Sequence, residues 1–311
     1  MTYKEWFDAY ARHMVDVELY AEARAVLLEG TLNRLYRELK SIIESYGVIK
    51  SKSQENECIR ECNECIRKYL NRWEDSEKKE RDDFAGKEAD WLSGIILAAL
   101  GVALVSDIAR KKRAMSTPFT ETDTFETFTE TLKADIQKSI KVPLLSSRIF
   151  GASTKSVTES LSSSFERIER NASAEIKTAV TGLQRSVTYQ LLEDRRKLKF
   201  LYVSMFDERT CTVCAGYSGN VYEDLASAPA VPVHIRCRCY YMPILSSSDE
   251  IEGRPEDYEE WFKRQPDSVK YRILGPSRYS IYKSGLTSIK KFSSEGRKLT
   301  LEELFQKQKS V

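Results

Sequence analysis

KEWFDAYARHMVDVELYAEARAVLLEGTLNRLYRELKSIIESY (residues 4–46) places an apolar residue at every third or fourth position. Tyr10, Met14, Val17 and Ala21 form one run. After a phase slip near Arg24, Leu28, Leu32, Leu35, Leu39, Ile42 and Tyr46 form another. Alternating steps of four and three put these side chains on one stripe of a helix, a seam that can pair with another helix or with a second copy of the chain. Gly47 follows at a plausible C′ position. The reading therefore starts from helices, and the rest of the chain extends it.

A second helix, dense in Glu, Lys and Arg, is expected to start after Ser53 and run toward Arg81. Residues 91–109 form a third element, with an unbroken apolar run from Gly94 to Val105 followed by the basic stretch Arg110 to Arg113. A basic cluster after an apolar run resembles a stop-transfer signal. A span needs about 20 apolar residues, and Ser106-Asp107 stops this run early, so a buried helix is favoured over a membrane-inserting one. Pro118 and the Thr/Phe-rich residues around it suggest a linker over 114–130. Helix resumes over 124–140. Pro143, Gly151 and a Ser/Thr-rich stretch suggest a turn, with Thr154 or Ser156 as caps for the next helix. Leu161, Phe165, Ile168 and Ala172 mark that helix, and Ile176 to Leu191 another that ends near Lys199.

The character changes at residue 200. Residues 200–206 (Phe-Leu-Tyr-Val-Ser-Met-Phe) read as a strand, followed by turn residues and Pro229, Pro232 and Pro243. Tyr258 to Phe262 is helical, and Gly275-Pro276, Gly285 and Gly296 act as breakers. Thr300-Leu301-Glu302-Glu303 is a capping box that opens a last helix. The expected fold is mainly α, with elongated helical N-terminal and middle parts and a small loop-rich α+β module near the C-terminus. The expected blocks are a helical region over 1–113, the linker over 114–130, a helical middle over 131–199, a Cys/His module over 200–255 and a basic tail over 256–311.

Composition limits the chemistry. The chain has 311 residues, 31% of them charged, yet its formal net charge is only +2, so bulk electrostatics do not mark a nucleic-acid binder. Seven cysteines are too few for a disulfide scaffold, and the number is odd. Two histidines, His13 and His234, cannot supply multi-histidine acid/base machinery. No charged n-region followed by an apolar stretch opens the sequence, so a chain made in a reducing cytoplasm is expected. No P-loop or dinucleotide fingerprint is present.

The strongest chemical signal is Cys211-x2-Cys214, then nineteen residues, then His234-x2-Cys237-x-Cys239. A C-x2-C turn places two thiolates on one ion, and a second short loop carrying His and Cys can close a tetrahedral Zn²⁺ cage. Five candidate ligands (Cys211, Cys214, His234, Cys237 and Cys239) compete for four places. The site would be structural, since four protein ligands leave no open position, and it would staple a module that lacks apolar mass. Unmetallated thiols packed in a small apolar cluster and an oxidisable pair also satisfy the spacing. A Cys–His nucleophilic dyad is disfavoured by the density of cysteines, and no catalytic residue is assigned.

Asp207-x-Arg209-Thr210-Cys211-x2-Cys214, Gly219, and Pro232-x-His234-x2-Cys237-Arg238-Cys239 resemble the signature of phage head morphogenesis proteins, the phage Mu protein F-like minor head proteins. The tail is similar to that family's tail in Tyr258 to Pro266, Leu274-Gly275, Arg278, Tyr282 to Gly285 and Leu299 to Leu304. The resemblance spans roughly residues 130–305 and leaves the N-terminal 120 residues unmatched. The family more often reads His-Pro-Asn-Cys-Arg-Cys where this chain has Ile235 and Arg236 after His234. The resemblance implies a non-enzymatic minor capsid protein of a tailed phage, internal to the head or associated with the portal. It implies action in procapsid assembly in the host cytoplasm, residence in the virion, and contact with the portal or major capsid protein.

Two further features stand apart. Cys58, Cys62 and Cys65 have an iron–sulfur-like spacing but share one helix face, without the aromatic residue or β/α barrel pattern that such sites carry. A role in a helix seam is expected. Lys270, Arg272, Arg278, Lys283, Lys290, Lys291, Arg297 and Lys298 face a single acid, Glu295, within residues 269–298. That local excess of positive charge, interleaved with tyrosines, could meet double-stranded DNA phosphates in a packaging or ejection accessory role, or an acidic portal surface.

Overall fold

The computed structural model describes residues 2–104, 108–120, 123–193, 198–245, 256–285 and 287–309. The chain is mainly helical, with a small antiparallel sheet and a Cys/His cluster near the C-terminus. Five helices come first: α1 (Tyr3–Tyr46), α2 (Lys52–Leu100), α3 (Ile108–Ser116), α4 (Phe125–Phe150) and α5 (Thr154–Leu192). Then come β1 (Leu198–Val203), α6 (Thr212–Tyr217), β2 (Val221–Tyr222) and β3 (Tyr240–Leu245). The last part holds α7 (Tyr258–Arg264), α8 (Asp267–Lys283), a 3₁₀ turn (Ile289–Phe292), the short pair β4 (Ser293–Ser294) and β5 (Arg297–Lys298), and α9 (Leu301–Lys309). Two compact units form. One comprises residues 17–87 and 115–183; the other comprises 1–16, 88–114 and 184–311. Neither is a continuous stretch of chain, because α1, α2 and α5 each contribute to both. Of the expected block edges, residue 113 falls inside α3, residue 130 inside α4 and residue 199 at the start of β1, and residue 255 lies outside the described residues.

The helical unit is held by the seam read from the sequence. Leu28, Leu32, Leu35 and Leu39 of α1 are fully buried with Cys58, Cys62, Ile66 and Leu70 of α2. Phe125, Leu132, Ile136 and Ile140 of α4, and Leu161, Phe165 and Ile176 of α5, complete that core. Cys58 and Cys62 therefore pack as small apolar groups, the role expected of them, with Cys65 half-buried beside them. Ile43 is buried at the end of the seam, and Ile42 and Tyr46 are partly buried against the same core. The seam pairs with other helices, as expected, and they are this chain's own α2, α4 and α5.

Several boundaries differ from those expected. α2 does not stop near Arg81; it runs to Leu100 because Ala85, Ala89, Leu92 and Ile96 recur at helical spacing and are buried. The dense charges before them hide that pattern. Of the apolar run that begins at Gly94, α2 takes the part up to Leu100, and residues 105–107 lie outside the described residues. No helix among the described residues is long and apolar enough to cross a membrane. The stretch 114–130 is not a solvated linker. Phe119 is buried against α5, where a Cβ on Gly182 would lie 2.6 Å from the Phe119 Cβ, and Phe125 and Phe128 enter the core. Pro143 does not end α4, although a mid-helix proline costs about 3 kcal/mol. Ile140 and Leu144 are buried on either side of it, and Gly151 (φ 67°) provides the actual stop. The next helix is capped by Ser153, whose hydroxyl accepts from the Ser156 backbone N–H, and it runs unbroken through both predicted segments.

In the other unit, the sheet order is β2-β1-β3, all antiparallel. Phe200 pairs with Pro243 and Tyr202 with Tyr241. The start of α1 closes on the sheet: the Trp6 indole N–H donates to the Pro243 carbonyl at 3.1 Å, and Tyr10 stacks on Tyr240. Gly275 (φ 72°) interrupts α8 with non-helical backbone, so that two helical segments meet at a kink there, as a breaker should. Tyr258, Phe262, Leu274, Ile281, Ile289, Phe292 and Leu304 share one core with Ala215 of α6. The expected capping box forms between Thr300 and Glu303.

One buried ion cluster governs the helical unit. Arg24 donates to the fully buried Glu77 at 2.6 and 3.0 Å, and Arg81 lies 4.4 Å from the Phe125 ring, its charge disfavoured by burial and supported by the Glu77 carboxylate. Removing one member of a buried pair strands the other charge. Glu77→Ala is expected to lower stability by about 3 kcal/mol in denaturant unfolding. Glu64→Ala, which removes an exposed pair with Arg60, should change it by less than about 0.5 kcal/mol.

Candidate metal centre

The local backbone assembles the cluster from two loops. Cys211 is the N-cap of α6, and its Sγ accepts from the Cys214 backbone N–H at 3.4 Å. This turn points both sulfurs the same way. The second loop follows Pro232 and closes on itself through the Cys237 N–H to His234 carbonyl bond at 3.0 Å. Arg236 within it adopts φ 67°, a left-handed conformation uncommon for its residue type. β3 begins at Tyr240, directly after Cys239, so the sheet fixes the end of this loop.

The five predicted donors converge. His234 Nε2 lies 3.2 Å from Cys211 Sγ and 3.3 Å from Cys214 Sγ, and Cys214 Sγ lies 3.9 Å from Cys237 Sγ. Two triads can each hold a metal ion: Cys211, Cys214 and His234; and Cys214, Cys237 and Cys239. Cys214 belongs to both. Ligand atoms around one tetrahedral zinc are spaced about 3.5–3.8 Å apart, close to these separations. The orienting contact is also present: His234 Nδ1–H donates to the Ile235 carbonyl at 2.8 Å, which leaves Nε2 facing the sulfurs. The donors are thiols and imidazole, with no carboxylate, a set suited to soft or borderline metals rather than to Mg²⁺ or Ca²⁺. All seven cysteines are free, so the oxidised-pair alternative is not what the structure adopts.

Without an ion the cluster shares protons. The hydrogen bond from Cys214, aided by the facing imidazole, pulls the Cys211 thiol down to about 4. The Cys211 thiolate in turn pushes His234 up to about 9. Hydrogen bonds from Cys214 and Cys239 hold Cys237 well below the usual thiol range, whereas Cys214 is raised by its bond to Cys211 and Cys239 by burial. A metal would displace these protons.

The surroundings are built to hold the loops. Asp207 takes both ends of the Arg238 guanidinium at 2.5 and 2.6 Å and accepts from the Arg209 N–H. The Tyr258 hydroxyl donates to the Asp207 carbonyl at 2.9 Å, and Ser293 Oγ donates to the Thr212 carbonyl. Gly216 lets that contact form, since a Cβ there would meet Ser293 Oγ at 2.3 Å. Sequence reading missed Arg185. It is buried in α5 and donates through Nε at 2.6 Å, and through its terminal nitrogen, to the Cys239 carbonyl. Burial lowers its pKa, and the charges of Cys237 and Cys239 oppose that shift. Its position beside the apolar stripe of α5 carries no periodic signal.

Six of the eight tail cations hydrogen-bond or pair within the chain. Arg272 pairs with Glu208, Lys283 with Asp267, Lys290 with Asp257 and Arg297 with Glu303. Lys270 and Arg278 donate to the backbone carbonyls of Lys263 and Leu299. Burial and the neighbouring Arg278 depress Lys298, and Lys291 sits in the 3₁₀ turn. Comparison with family models, curated proteins and solved structures finds no match to this chain.

Metal analysis of the purified protein should find about one equivalent of metal, lost in Cys214→Ser and kept in Cys58→Ser. Stripping the wild-type protein with a chelator should lower its unfolding free energy by about 4 kcal/mol, if the ion was present at a thousandfold its Kd.

Proposed function

We propose that this chain is a non-enzymatic minor capsid or head morphogenesis protein of a tailed phage, whose Cys/His module is stapled by one structural Zn²⁺. Cys211, Cys214, His234 and Cys237 would hold the ion, with Cys239 beside them. The zinc would supply cross-linking of two loops and no reactive position, since four protein ligands close its coordination. Three thiolates around a dication leave one negative charge, and the buried Arg185 guanidinium lies where it would offset that charge.

One observation carries the reading of the head protein. The two separated stretches that resemble the minor head proteins, 207–239 and 258–304, meet in a single folded body. Asp207 binds Arg238 through its side chain and Tyr258 through its carbonyl. Ala215 shares a core with Tyr258, Phe262, Phe292 and Leu304. Residues that form a pattern in sequence therefore hold one another in space. The departure at Arg236 fits as well, because it occupies the left-handed position for which asparagine, the family's more frequent residue there, is better suited. The DNA-binding alternative through residues 269–298 gains no support from geometry, given how many of its cations are engaged within the chain.

Such a protein acts by contact with the portal or the major capsid protein and resides in the virion. Co-expressed with a tailed-phage portal protein from the same genome, the tagged, metal-loaded chain should co-purify with the portal oligomer, and Asp207→Ala should weaken that association by loosening the module. A folded, metal-loaded chain that captures neither portal nor major capsid protein would contradict the proposal.

A further inference from the structure

The helical unit contains a cavity of about 570 Å³ between α1 and α2, on the face opposite no chemistry assigned so far. Its α1 wall repeats at helical spacing through Arg24, Thr31 and Arg34; its α2 wall does so through Lys68, Arg72 and Trp73, with Tyr69 alongside. No carboxylate lines it. Arg24 is already neutralised by Glu77 and Glu80. The other three cations are not. Arg34 makes only a long 3.4 Å hydrogen bond to the Thr31 hydroxyl. Lys68 lies 5.8 Å from the Tyr69 ring centre. Among the described residues none of Arg34, Lys68 and Arg72 has an ion-pair partner, although the flanking helix surfaces are crossed by pairs such as Arg60–Glu64 and Lys78–Glu74. Lys68 and Arg72 are moreover a like-charge i,i+4 pair, an arrangement that destabilises a helix by a few tenths of a kcal/mol. Trp73 is buried, and its indole N–H has no acceptor.

We infer that this cleft binds a polyphosphate anion of about the size of a nucleotide. Three uncompensated cations on two walls can each meet a phosphate oxygen, as charge-assisted hydrogen bonds favour. The volume exceeds that of a single phosphate and falls within the range of small-ligand sites. The half-buried Tyr69 ring offers aromatic surface to a base. The inference does not depend on the metal centre or on the proposed head function, because all these residues lie in the unit that lacks the Cys/His cluster.

Isothermal titration of the full-length protein at about 50 mM salt, with tripolyphosphate, adenosine triphosphate, adenosine and a 20-nucleotide single strand as separate probes, tests it. Tripolyphosphate and adenosine triphosphate should both saturate one site, the nucleotide more tightly, and adenosine should not bind. The triple change Arg34→Gln, Lys68→Gln, Arg72→Gln should weaken both by at least tenfold while leaving helical content intact; Arg72→Gln alone should give a smaller loss. Lys291→Gln in the tail should change nothing. No saturable binding of tripolyphosphate, equal binding by the triple variant, or binding of the strand alone would each overturn the inference.

Discussion

Cys214 is the point through which the C-terminal module is organised. Its backbone N–H binds the Cys211 sulfur, its own sulfur faces both His234 and Cys237, and α6, in whose first turn it sits, carries Ala215 into the core of the tail. The module has a three-stranded sheet whose shortest strand is two residues long, so regular hydrogen bonding alone gives it little stability. Tying its two loops together at one atom is what positions the rest. The Asp207–Arg238 clamp, the Tyr258 contact and the docking of Ser293 against Gly216 all rest on loop positions set by that cluster. A metal held there would supply by coordination what a larger domain obtains from apolar burial.

The helical unit follows a different logic. Its core is a continuous apolar seam, and its specificity comes from charges placed inside it. Glu77 has no exposure and serves Arg24 while steadying Arg81. On the same pair of helices, Arg34, Lys68 and Arg72 lack such compensation. Arg24 is paired inside the seam, whereas these three cations at the cleft are not. Stability requires the first arrangement and does not explain the second, which is why a ligand is the natural reading of the cleft.

Sequence made the seam of α1 legible because its apolar residues repeat at three or four positions on either side of the slip near Arg24. It failed where tertiary packing overrode local signals. Pro143 reads as a turn, yet Ile140 and Leu144 hold the helix through it. Charges between residues 74 and 83 mask the continuation of α2, although Ala85, Ala89, Leu92 and Ile96 mark it in hindsight. The Cys/His donors were legible from spacing alone, because a short loop constrains which sulfurs can meet. Arg185 was not, since a single cation beside an apolar stripe resembles any solvated residue until the Cys239 carbonyl is placed beside it. For the basic tail, composition counts charges without their partners, and Glu208, Asp257, Asp267 and Glu303, which pair with four of its cations, all lie outside the segment.

The central claim is that two loops meet on one metal through Cys211, Cys214, His234 and Cys237. X-ray absorption at the zinc edge of the purified protein tests it most directly. The account predicts a four-coordinate ion with three sulfur neighbours at about 2.3 Å and one nitrogen near 2.0 Å. A coordination shell dominated by oxygen, a four-sulfur shell that omits His234, or the absence of zinc from the protein would contradict it.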